Sequence, residues 1–254
     1  MLHTVYKERV IYFLISVFMK AFITIVIFSL LISIPSSTWA ASAGGIGKPK
    51  VVYLTFDADM TPSMKKRLHE GKVSAWYSKD LVSYLETEKV PATIFVTGMF
   101  AEIYPNIIKE MATHPTIEIA NHTYDHSVFE GPCYGLKVIK TDTEKIQEMQ
   151  RTQDILTALI GHTPTFFRHP GLCHNAHDDG LAKKVGLTVS DGDLVSGDAF
   201  NTSSKSVIKA VVRNVHDGSV IIMHLGGPNA PATDVAVKAL VTKLRAEHYT
   251  FAIL

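Results

Sequence analysis

Five side chains in this sequence have the types and settings to act together in one reaction: Asp57, Asp59, His122, His126 and His224. Asp57 and Asp59 close the run Thr55-Phe56-Asp57-Ala58-Asp59, just after a short apolar stretch. His122 and His126 bracket His122-Thr123-Tyr124-Asp125-His126, and His224 ends Ile221-Ile222-Met223-His224. Carboxylates and imidazoles are the donors that hold a divalent metal, and two His with one carboxylate leave a coordination position open for water. On a helix or a tight turn, a spacing of four turns both imidazoles to one side. With two carboxylates present, one can hold the metal while the other takes a proton from water. Metal-assisted hydrolysis is the chemistry such a set can perform. The plainer alternatives are an acidic turn after a strand, a surface His pair and a neutral core His.

Two further segments bear on the same chemistry. Arg168-His169-Pro170-Gly171 follows another short apolar run. Arg168 could orient the base carboxylate by a charge-assisted hydrogen bond, and Gly171 could turn a backbone N–H toward a developing oxyanion. The alternative is a tight turn with a solvated arginine. His224 fits a general acid, because Gly226-Gly227-Pro228 opens a loop beside it. Asp193 or Asp198 could pair with His224 and raise its pKa, and the sequence does not choose between them. His69, His114, His162, His216 and His248 have no comparable context and read as surface or structural.

These motifs need elements to bring them together. Strand patterns are read at 51–54, 92–96, 117–120, 165–167, 187–189, 220–223 and 249–253. Helical spacing is read at 78–89, 104–111, 141–160, 176–184, 207–215 and 232–246. Thr141 with Glu144 forms a capping box at the start of the longest helix, and Gly161 ends it. Seven strands alternating with helices predict a parallel α/β fold. In such folds the site lies at the C-terminal ends of the strands, where the polar motifs of this chain recur.

Bulk properties narrow the function. The chain has 254 residues, 46% of them hydrophobic, and a net charge of +1. That length supports one sizeable core. The charge gives no polybasic footprint for a nucleic-acid partner or an anionic surface. The first 43 residues differ from the rest: Lys7 and Arg9 precede apolar runs interrupted by Lys20, followed by Pro35 and small residues through Ala43. This pattern is that of a secretory signal peptide, with an uncleaved membrane anchor as the alternative and Met19 as a second possible start. Either places residues 44–254 outside the cytoplasm, periplasmic or secreted. There Cys133 and Cys173, the only cysteines, are free to pair.

From about Val51 to Leu254 the chain resembles the polysaccharide deacetylase family, of the carbohydrate esterase type. The resemblance rests on Thr55-Phe56-Asp57-Ala58-Asp59, His122–His126, Arg168–Gly171 and the strand ending at His224, in that order. It implies a distorted (β/α)7 barrel of parallel strands. It also implies a divalent metal, zinc by preference, on Asp59, His122 and His126. The implied catalytic residues are Asp57 as base and His224 as acid, supported by Arg168, with Asp193 as the nearest match to the family's fourth motif. Ala58 stands where most members carry the metal carboxylate. Relatives with an Asp-x-Asp first motif imply that Asp59 takes that place. The implied reaction removes N-acetyl groups from the amino sugars of a peptidoglycan, chitin-like or exopolysaccharide substrate. Competing readings are a hydrolase of a small linear or cyclic amide, a non-catalytic glycan-binding protein and a structural envelope protein. Acetate release from N-acetylated glycans, with and without chelator, separates them.

Overall fold

A computed structural model describes residues 49–254. The N-terminal segment 1–43 lies outside the described residues. Strands are β1 (Lys50–Ala58), β2 (Ala92–Val96), β3 (Ile117–Asn121), β4 (Phe166–Phe167), β5 (Thr188–Val189), β6 (Leu194–Val195), β7 (Val220–His224) and β8 (Tyr249–Phe251). Helices are α1 (Pro62–His69), α2 (Lys79–Thr87), α3 (Gly98–Ile103), α4 (Pro105–Ala112), α5 (Asp142–Ile160), α6 (Ala176–Lys184), α7 (Ser204–Asn214) and α8 (Thr233–Ala246).

All the strand pairs are parallel, in the order β5-β4-β3-β2-β1-β7-β6, with β8 pairing the start of β1. The result is an α/β fold whose curled parallel sheet forms a half-barrel. The expectation of seven strands needs one correction: among the described residues there are eight. The extra strand, β6, has only two residues, too few to show a period in sequence. The short helices α1 and α3 likewise lie outside the helical spacings read from the sequence.

β1 shows how the sequence sets the site. Side chains alternate faces along a strand. Val52, Leu54, Phe56 and Ala58 join the main hydrophobic core beneath the helices. Burying each of the two large side chains, Leu54 and Phe56, contributes roughly 1.5–3 kcal/mol. The intervening positions Thr55, Asp57 and Asp59 are polar and also buried. They share the opposite face, so Asp-x-Asp spacing aims both carboxylates to one side while Ala58 serves the core. An aspartate at position 58 would point into apolar packing.

The long helix α5 starts at Thr141, whose hydroxyl accepts the Glu144 N–H, and stops at Gly161, whose φ of 82° is left-handed. Cys133 and Cys173 form a disulfide that ties the loop after β3 to the turn after β4.

Candidate metal and catalytic site

The polar motifs converge at the C-terminal ends of β1, β3, β4 and β7. β1 lies between β2 and β7, with Asp57 in register with His224. His122 and His126 lie in the loop that leaves β3 and not on a helix. Thr123 and His126 both have φ of 62°, which is unusual for residues with side chains. The loop is held in that shape by its neighbours. Asn121 Oδ1 accepts the Thr123 N–H at 3.0 Å, while Asn121 Nδ2 donates to Met149 O and Gln153 Oε1 on α5. Glu148 Oε2, also on α5, accepts the N–H groups of Tyr124 and Asp125 at 2.9 and 3.1 Å.

Asp59 Oδ1 lies 3.5 Å from His122 Nε2 and 3.3 Å from His126 Nε2. The two rings are inclined at 63°. Asp59 Oδ1 and His122 Nε2 are buried and have no hydrogen-bond partner. Donors bound to one tetrahedral metal at about 2.0–2.1 Å are separated by roughly 3.4 Å, so these spacings suit a shared cation. His122 Nδ1 donates to Arg168 O at 2.8 Å, which leaves the Nε2 lone pair facing Asp59. Burial, outweighing the attraction of Asp57, lowers the His122 pKa and keeps the ring in the neutral form that a metal requires. The residues therefore fit a divalent cation on Asp59, His122 and His126.

Asp57 is held apart from that trio by Arg168. Arg168 is fully buried. Its Nη1 donates to Asp57 Oδ1 at 2.8 Å, its Nη2 to Thr55 Oγ1 at 2.8 Å and its Nε to Ser190 O at 3.0 Å. The guanidinium also lies over the Phe95 ring. Burial alone would raise the Asp57 pKa, but the arginine and the nearby imidazoles hold it below the ordinary value. Asp57 is thus an ionised carboxylate with one oxygen fixed and the other facing the trio, 3.9 Å from His122 Nε2.

Across the site, His224 Nε2 is 3.5 Å from Asp59 Oδ2. Its Nδ1 donates to Asp198 Oδ1 at 2.9 Å, and its backbone N–H to Asp198 Oδ2 at 2.7 Å. Thr233 Oγ1 also donates to Asp198 Oδ2. Burial favours the neutral imidazole, but Asp198, Asp59 and Asp57 override it and push the His224 pKa up to about 10.

The choice of Asp193 is corrected by the geometry: Asp198 is the partner of His224. β6 runs parallel to β7, with Leu194 opposite Ile221. Asp193 therefore enters the sheet opposite the start of β7, where it accepts the Val220 N–H and pairs with His216. Val220 and His224 are four strand residues apart, roughly 13 Å at strand rise. Asp198 follows β6 and reaches the other end. Recognising that short strand would have selected Asp198 from sequence. Thr55 and Ser190, which pin Arg168, carried no signal of their own.

Gly171 sits in a tight turn at φ 61° and lines the same pocket as Asp57, Asp59 and His224. A Cβ there would meet Cys133 Sγ at 2.8 Å, so only glycine fits. Among the described residues a second cluster, His169, His174 and Asp179, also brings metal-ligand types together. Its two rings are stacked face to face at 4.0 Å and 6°. Imidazole lone pairs lie in the ring plane, so parallel rings do not converge on one cation.

Known proteins share this fold. The polysaccharide deacetylase family model matches residues 44–190, and the chain belongs to that family. It is 26% identical to the peptidoglycan-N-acetylmuramic acid deacetylase PdaC of Bacillus subtilis, over 75% of this chain and 36% of that one. The chain thus spans about a third of that relative's length. Among solved structures, a family 4 carbohydrate esterase from Streptomyces lividans in complex with acetate is 26% identical with a TM-score of 0.62, covering 80% of this chain and 91% of that one. A CE4 family pseudoenzyme from Bacillus anthracis aligns with a TM-score of 0.66 at 18% identity, over 82% of this chain and 64% of that one, a likeness of fold alone.

Proposed function

We propose that this protein is a metal-dependent hydrolase that removes N-acetyl groups from the amino sugars of an exported glycan. One observation carries the reading: an Asp-His-His set spaced for one cation lies between a carboxylate held by a buried arginine and an imidazole held by a buried aspartate. A pseudoenzyme reading would call for a broken site, whereas here each role has a residue in place. When bound, a divalent cation, zinc in our reading of the nitrogen and oxygen donor set, supplies Lewis-acid polarisation of the acetyl carbonyl.

The chain's own residues do the rest. Asp57, fixed by Arg168, takes a proton from the attacking water as its oxygen bonds to the carbonyl carbon. The Gly171 turn presents backbone to the oxygen that gains negative charge. His224 Nε2 gives its proton to the sugar nitrogen as the C–N bond breaks, releasing a free amine and acetate. Asp198 holds the Nδ1–H and so keeps Nε2 turned toward the substrate.

Export is part of the proposal. The signal-like first 43 residues and the Cys133–Cys173 disulfide both suit an oxidising compartment. The substrates that resemble those of the named relatives are peptidoglycan and related N-acetylated polymers. The test is acetate release from N-acetylated glycans by the purified protein, abolished by chelator and restored by zinc. Release from small amides with none from any glycan would replace the glycan reading with the amide one.

A further inference from the structure

Resting on the cation assigned to Asp59, His122 and His126, we infer that Glu148 is a positioning residue, which sets from behind the backbone of the loop that carries both imidazoles. His122 and His126 are not on a helix, so no helical ladder holds them one turn apart. Thr123 and His126 both keep a left-handed φ of 62°. Residues with side chains hold that conformation only where contacts outside them enforce it.

The loop's backbone asks for an acceptor on its rear side. Successive N–H groups in a turn with a left-handed residue face one way and form a concavity for an anionic oxygen. Here the N–H groups of Tyr124 and Asp125 converge on one atom, Glu148 Oε2, at 2.9 and 3.1 Å. Tyr124 and Asp125 are buried, and a buried donor left without an acceptor is costly. On the other side the loop is already held by backbone. Thr123 O and Tyr124 O accept the N–H groups of Gly98 and Met99 at the start of α3, both at 2.9 Å. A Cβ on Gly98 would meet Tyr124 Cδ2 at 2.7 Å and Thr152 Oγ1 of α5 at 2.8 Å. The loop is thus gripped between α3 and α5.

Other contacts on the rear side act on side chains. Tyr124 donates its hydroxyl proton to Glu102 Oε2 at 2.8 Å, Arg151 lies 3.3 Å over the Tyr124 ring, and Lys137 Nζ donates to Asp125 Oδ2 at 2.9 Å. Glu148 instead bonds to the main chain between the two histidines, and so fixes where each imidazole starts. Without it the loop spreads over other shapes. Metal then draws on the fraction that remains in the binding shape, and the apparent affinity falls by that fraction. Groups that orient metal ligands are commonly worth about 10–100-fold in affinity. What the loop requires is an oxygen at that place, which a glutamine also supplies.

The test uses the full chain freed of metal, with zinc as the probe. Glu148→Ala should weaken zinc binding by about 10–100-fold in competition with a chromophoric chelator. Glu148→Gln should bind as wild type. Glu144→Ala, on the same helix, loses a bond to the cap residue Thr141 and should also bind as wild type. Cobalt-loaded Glu148→Ala should show an altered d–d absorption spectrum, and cobalt-loaded Glu148→Gln should not. A second readout needs no cation: in metal-free protein the Tyr124 and Asp125 amides should exchange slowly in wild type and in Glu148→Gln, and fast in Glu148→Ala. If the alanine variant does not fold, Glu148→Asp, one methylene too short to reach, replaces it in each comparison. Wild-type affinity with slow exchange in the shortened variant would overturn the inference. So would an equal loss in Glu144→Ala, or a glutamine variant no better than alanine. If wild-type protein bound no zinc, the metal assignment would fall, and the exchange comparison would still decide whether Glu148 sets the loop.

Discussion

Among the described residues two clusters contain the same residue types, one Asp and two His, and only one of the two is arranged to hold a cation. In Asp59, His122 and His126 the rings are inclined at 63° and the imidazole Nε2 atoms lie 3.5 and 3.3 Å from one carboxylate oxygen. In Asp179, His169 and His174 the contacts are closer, 3.2 and 2.7 Å, but the rings are parallel. Protonation differs as well. Burial pushes the His169 pKa down to about 2. The hydrogen bond to Asp191, with help from Asp179, raises that of His174 despite its burial. The second cluster is thus a neutral ring stacked on a cationic one that bridges two carboxylates. Proximity of donor types does not make a metal site; converging lone pairs and a neutral tautomer do.

The sharpest way to break that contrast is to delete the carboxylate of each cluster. Asp59→Ala should lose essentially all bound metal by elemental analysis and lower acetate release by about 10³-fold or more. Asp179→Ala should retain the wild-type metal content. If the two outcomes were reversed, the assignment would be exchanged between the clusters. Next in size is Asp57→Asn, which should keep its metal and lose roughly 10²–10⁴ in kcat, because the proton acceptor is gone while the ligands are intact. Metal loss in that variant would make Asp57 a ligand.

Much of this was legible in the sequence, and the reason is geometric. Asp57, Asp59, His122, Arg168 and His224 each sit at or near the end of a strand, so a parallel sheet brings them together whatever the helices between them do. The alternation from Val52 to Asp59 also explains Ala58, whose side chain faces the core. What was not legible depended on structure too short to show a period. Choosing Asp198 over Asp193 needed the two-residue β6, because only the register against β7 separates the two ends. His169 and His174 meet only because the turn after β4 folds back on itself.

Smaller effects refine the electrostatics. Asp198→Asn removes the main support for protonated His224. The Asp198 hydrogen bond with Nδ1 is the foremost influence raising the His224 pKa against burial. Without it, the alkaline limb of the pH–rate profile should move to lower pH, with metal content unchanged. An unmoved limb would mean that another group sets it. The smallest effect concerns stability at His169. Its folded pKa lies below the ordinary 6.5, so between pH 6.5 and about 2 the unfolded chain binds a proton that the folded chain refuses. Stability should therefore fall as pH drops below 6.5, by up to about 1.4 kcal/mol per pH unit from this group. His169 Nε2 lies 3.2 Å from Asp179 Oδ1 without making a hydrogen bond, and the ring packs against Phe129 and Phe167. His169→Phe should accordingly flatten that acid dependence in urea titrations at about pH 7 and about pH 5. An unchanged slope would show that His169 is already protonated in the fold.

The most direct measurement is an anomalous-difference map from crystals of the zinc-loaded protein. The expected result is a single strong peak about 2.0–2.2 Å from Asp59 Oδ1, His122 Nε2 and His126 Nε2. A peak at His169 and His174 instead, or none near Asp59, would contradict the assignment of the metal to that trio.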